Sequence, residues 1–224
     1  MDFMRLLKSF EEFLYEIVSW IVFYPVTMWR TIRHPSKLMR YADVELLDDD
    51  EDRYSDTLSP PLFLLVTLLI AHGMELGLLR QSVVLPSLLS TDANLLVFRA
   101  VSFSIFPLLM ALKLLRHAGT QLDRKTLQPP FYSQCYVAAP FALGIDTGIN
   151  LMRIGAHVPK LAGMAVLTLA LIWYVTIETR WFRRDLGIST GRAIFMVVVT
   201  ILEAAVVVML SAAIIIYAAA PRAG

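Results

Sequence analysis

The chain has 224 residues, 57% of them hydrophobic and only 17% charged, with a mean hydropathy of +0.63. That composition cannot cover a water-facing surface, so a soluble enzyme and a disordered tail are both excluded. Twenty Lys and Arg against 19 Asp and Glu leave a net charge of +1, which provides no general basic field for nucleic acid. The lone Cys135 has no intrachain partner, so no disulfide framework holds the fold.

The amino-terminal segment places Phe3, Leu7, Phe10, Leu14, Ile17 and Ile21 at spacings of three and four, with Lys8, Glu11, Glu12 and Glu16 on other faces. The spacing predicts an amphipathic helix. Its continuous apolar part, 17–28, is short for a span and Pro25 interrupts it, so the segment is expected to lie in the membrane interface; a sixth span is the alternative. Glutamates precede the apolar run and no small-residue cleavage site follows, so a cleavable signal peptide is not expected. Trp29, Arg30, Arg33, His34, Lys37, Arg40 and Tyr41 form a basic and aromatic stretch, expected at headgroup level against anionic lipid through Trp29, Arg30, Arg33, Lys37 and Arg40. Then Asp43, Glu45, Asp48, Asp49, Asp50, Glu51, Asp52 and Asp56 make an acidic loop over 43–56. It could dock a protein partner, but runs of like charge usually remain solvated linkers, and the linker is the favoured reading.

Five stretches reach the roughly 20 apolar residues that a bilayer core requires: Pro61 to Arg80, Asn94 to Leu115, Phe131 to Arg153, Leu161 to Ile177 and Ala193 to Ala220. Helices are expected throughout, because backbone amides in hydrocarbon must be satisfied within their own segment and no alternating strand pattern occurs. The fold class is therefore all-α, with residues 1–57 as an interfacial region and 58–220 as a five-helix membrane domain. With a cytoplasmic amino terminus, 15 of the 20 cations lie inside, and the positive-inside rule then places the carboxyl terminus outside the cell inner membrane.

An internal echo runs through the membrane domain. Ala71-His72-Gly73-Met74-Glu75-Leu76-Gly77-Leu78 is matched by Ala142-Leu143-Gly144-Ile145-Asp146-Thr147-Gly148-Ile149, and Pro60-Pro61 and Phe63 are matched by Pro129-Pro130 and Phe131. The expected architecture is two parallel helical hairpins, 58–117 and 128–184, followed by a final helix over 193–220. Gly73, Gly77, Gly144 and Gly148 are expected to seat helices against one another, since glycines four apart let a second backbone approach.

Glycine packing leaves the acid between each pair unexplained. At 1.5 Å per residue, Glu75 and Asp146 lie about 21 Å into their spans, and Arg99 enters from the other side to a similar level. Charge at depth is costly and marks a functional-site hypothesis. Glu75, Arg99 and Asp146, with His72 and Asn150 one turn away, are expected to form one polar layer, either contacting a small polar solute or ion or pinning the repeats together as a neutral network. Glu203 stands apart near the middle of the last span, with no counter-charge expected at that depth; it is read as a proton site or as glue at a homo-oligomer interface. A helical His72/Glu75 pair is too little for a metal centre, so neither metal nor cofactor is expected, and no nucleophile, phosphate-loop or zincin motif points to an enzyme.

Five spans after a polar amino-terminal region, with Pro130-Phe131-Tyr132-Ser133-Gln134-Cys135-Tyr136-Val137-Ala138-Ala139-Pro140 opening the third, resemble the Yip1-like membrane proteins over residues 58–220. The resemblance implies a five-span fold. For activity it implies either a permease, the label carried by bacterial members, or a membrane organiser. The expected function is movement of a small solute or ion through the polar layer; the alternative is an adaptor acting through residues 1–57.

Overall fold

A computed structural model describes residues 2–47, 53–78, 92–154 and 156–219. These form seven helices: α1 (Asp2–Arg33), α2 (Pro35–Glu45), α3 (Pro60–Leu78), α4 (Asp92–Ala118), α5 (Arg124–Arg153), α6 (His157–Leu186) and α7 (Thr190–Ala219). Helices α3 to α7 are long and apolar enough to cross a membrane, and the chain is a multi-pass membrane protein by that architecture. Arg80 and Ala220, the expected ends of the first and last spans, and Asp48 to Asp52 of the acidic loop lie outside the described residues.

Helix α1 runs without interruption through Pro25, where the sequence suggests a break. Its first half leaves Leu7, Phe10 and Leu14 exposed among the described residues. Its second half buries a face with helical spacing, in which Thr27 and Thr31 are fully enclosed beside Trp20, Phe23, Tyr24 and Met28. The Thr27 hydroxyl donates to the Phe23 carbonyl at 2.7 Å and accepts from the Leu58 amide at 3.1 Å, which fastens α1 to the entrance of α3. Pro35 stands in the first turn of α2, a position where its missing amide costs nothing. The basic stretch thus contains a second helix, which its charge pattern concealed, and Leu38, Met39 and Ala42 anchor that helix in the core.

The third span is longer than its apolar run. Asp123 caps α5 through the Thr126 amide, with Thr126 bonding back, so the helix begins seven residues before Phe131 and carries Pro129, Pro130 and Pro140 within it. Helix α6 likewise extends past Ile177 to Leu186, ending at Gly187 in the left-handed region at φ 62°, the conformation that favours glycine at a helix terminus.

Helix α5 is the centre of the bundle. Half of its span is buried, against 22% for α4 and for α6, and it packs on α2, α3, α4 and α6. One core joins α5 to α4, α6 and α7, with Phe141 and Tyr174 stacked at 4.3 Å. The other joins α5 to α1, α2 and α3, where the Tyr136 hydroxyl donates to the Leu58 carbonyl at 2.9 Å. Helices α5 and α6 form a close pair, whereas α3 and α4 touch little and each lean on α5.

Candidate functional site: a charged layer and an amphipathic platform

Arg99 stands between the two acids of the echoed motif. One Glu75 carboxylate oxygen accepts from Arg99 of α4 and the other accepts from Arg153 of α5 at 2.5 Å. Asp146 of α5 lies 3.9 Å from the second guanidinium nitrogen of Arg99, close enough to attract and too far for a hydrogen bond. That nitrogen and the facing Asp146 Oδ2 have no hydrogen-bond partner among the described residues. His72 and Asn150 are buried, at 6% and 3% exposure, and His72 lies within electrostatic range of Asp146. The layer therefore contains two acids and two guanidiniums, with both Glu75 oxygens engaged.

Arg153, the last residue of the expected third span, is the member of the layer that sequence reading does not include. Its position two turns beyond Asp146 on α5 was the available signal, because residues seven apart share a helix face and a long side chain can reach back along it. Lys113 is a second correction. It lies inside α4, within the expected second span but not expected as a partner for Glu203, and its ammonium donates to both Glu203 oxygens at 2.9 Å. Glu203 thus has a counter-charge at its own depth, which overturns the expectation of an unpartnered acid.

A third cluster lies outside every expectation. Glu178, just beyond the predicted end of its span, is fully buried, as are Gln134 and Tyr174. Gln134 faces Glu178 across the α5/α6 seam. The Glu178 oxygens, both Gln134 amide atoms and the Tyr174 hydroxyl nevertheless make no bonds that meet hydrogen-bond geometry among the described residues.

The two glycine pairs behave differently. A Cβ at Gly144 would stand 2.6 Å from the Ala170 side chain, and one at Gly148 would stand 2.6 Å from Leu167, so both glycines permit the close approach of α6. Beside Gly73 and Gly77 no described atom lies within 4 Å of a Cβ, so these two do not seat a helix among the described residues.

Helices α1 and α2 make a separate platform. Asp56 bridges them, accepting from Arg30 and from the Tyr41 hydroxyl, each at 2.6 Å. Partial burial alone would raise the Asp56 pKa, but the Tyr41 and Arg30 hydrogen bonds hold it below the usual carboxylate range. Arg33 lies over the Trp29 ring at 5.3 Å, and the Arg40 guanidinium donates to the Ser36 carbonyl at 3.3 Å. Arg30, His34 and Lys37 share a cavity of about 330 Å³. The described ends of the acidic segment are tied down: Glu45 accepts from the Tyr54 amide at 2.5 Å, and Asp43 accepts from the Ser133 hydroxyl of α5 at 2.7 Å. Burial, opposed by that hydrogen bond and reinforced by repulsion from Asp185, pushes the Asp43 pKa up to about 6.

No group of three or more His, Cys, Asp or Glu side chains is placed to hold a metal ion among the described residues. No known family model, curated protein or solved structure matches the chain.

Proposed function

We propose that the protein is a membrane-organising or adaptor protein that acts through the α1–α2 platform, and that the charged layer at Glu75 is a structural lock. The observation that carries this reading is the contrast between the two regions. Both Glu75 oxygens are bound by arginines and the acids and guanidiniums balance, whereas the first half of α1 leaves Leu7, Phe10 and Leu14 exposed among the described residues. An apolar helix face beside basic residues suits an anionic bilayer surface, and the cation bias supports a cytoplasmic location for it. The resemblance to Yip1-like proteins is compatible with the same role.

One observation favours a second reading, transport of a small polar solute or ion. The unbonded Arg99 nitrogen and Asp146 oxygen, 3.9 Å apart, could be bridged by a small group that both donates and accepts. The two readings separate in proteoliposomes mixed with phosphatidylcholine vesicles containing phosphatidylserine. On the organiser reading the full chain clusters these vesicles, and a Phe10→Glu, Leu14→Glu variant loses clustering while retaining its helical content. Clustering unaffected by that variant would refute the role given to α1.

A further inference from the structure

A groove lies along the seam between α4 and the start of α5, lined by residues of those two helices alone. Its volume is about 700 Å³, within the roughly 300–1,000 Å³ range of small-molecule sites. Its walls are apolar, with Val101, Ile105, Leu108 and Phe131 among them, and its polar end is formed by Arg124 and Gln128 at the start of α5. A smaller cavity of about 100 Å³ under Leu64 and Leu68 of α3 opens on the same seam, sharing Ala100, Ser104 and Phe131 with it.

We propose that this groove holds one tail of an anionic phospholipid, with the phosphate headgroup on Arg124. The occupant is specified by three features. The walls belong to membrane-crossing helices, so what fills them comes from the bilayer. Arg124 is the first residue of α5, whose start is set by the Asp123–Thr126 capping box, and it stands at the polar end of the helix, seven residues before the apolar run that opens at Phe131. The Arg124 guanidinium has no ion pair or hydrogen bond with a described residue, so its donors are available to a phosphate. A fork of donors at the mouth of an apolar groove is complementary to a phosphate attached to an acyl chain. This inference is independent of the platform at α1–α2.

The test is electron spin resonance on the full chain in phosphatidylcholine bilayers, comparing the immobilised fraction of spin-labelled phosphatidylglycerol with that of spin-labelled phosphatidylcholine. The wild type is expected to favour phosphatidylglycerol about fivefold, the factor corresponding to about 1 kcal/mol per basic residue at a membrane surface. Arg124→Gln brings the ratio to about one and Arg124→Lys largely retains it. Ser104→Trp, which fills the groove and leaves Arg124 in place, lowers the immobilised fraction and the preference together. Should Arg124→Gln fail to fold, the Ser104→Trp result decides alone. Equal immobilisation of the two lipids by the wild type overturns the proposal, as does a preference that survives either Arg124→Gln or Ser104→Trp. A preference abolished by Arg30→Gln with Lys37→Gln while Arg124→Gln retains it overturns it as well, placing the lipid at the platform.

Discussion

Glu75 sits between two guanidiniums in surroundings that leave it only 14% exposed, and removing one member of such a pair leaves the others charged and underbonded. Glu75→Gln is therefore expected to lower stability by about 3 kcal/mol, near the low end of the range for breaking a buried pair. Thermal unfolding in detergent checks this, and an unchanged midpoint would contradict the lock. Lys113 and Glu203 call for a different test, because the Glu203 side chain is 46% exposed within the protein and the pair lies between two membrane helices. Either single neutralisation should destabilise, whereas Lys113→Met with Glu203→Leu should recover most of the loss, giving a favourable coupling in a double-mutant cycle. Among the described residues no cation is paired with Glu178; the groups that bear on it are Gln134 and Asp185. Glu178→Gln keeps its shape and has no ionised form to desolvate, so the variant should fold with an equal or higher midpoint.

Asp43 adds a pH dependence at the same scale. Its pKa of about 6 in the folded chain exceeds the ordinary value of 3.8, so between those two values the folded state binds more protons than the unfolded one. Stability from this group consequently falls as pH rises from about 4 to about 6 and is flat above that. Asp43→Asn should remove that part of the pH profile, and a profile unchanged by the substitution would contradict the assignment.

At the scale of elements, the two copies of the echoed motif pack differently. Gly144→Ala drives a methyl into Ala170 and is expected to cost about 1–3 kcal/mol through overpacking. Gly73→Ala meets no described atom and should be neutral or mildly stabilising, given the better helix propensity of alanine. Equal losses at both positions would mean that α3 has a close neighbour after all. The sequence made the glycines legible as a repeat but not as contacts, because a motif specifies which backbones can approach and not which do. Span number was legible for a similar reason: hydrocarbon thickness imposes a length that composition displays directly. The start of α5 at Arg124 was hidden because a capping box extends the helix through polar residues and two prolines. Helix α2 was hidden because only Leu38, Met39 and Ala42 are buried in it, too few to stand out among its charges.

At the scale of the whole molecule, α5 organises everything else, carrying Asp146 and Arg153 toward one end of the bundle and Ser133 and Gln134 toward the other. The charged layer could be read from the sequence because acids in apolar runs are rare and depth is a simple product of residue count and helical rise. Its closure could not, since that depends on Arg153 turning back toward Glu75. With the layer closed as a lock, the proposed activity lies at the α1–α2 platform. The most direct test is proton and small-ion flux into sealed liposomes containing the purified wild-type chain. The account predicts flux no greater than that of protein-free liposomes. Wild-type flux above that background, abolished by Asp146→Asn in a chain of unchanged helical content, would contradict it and establish a permeation route past Arg99.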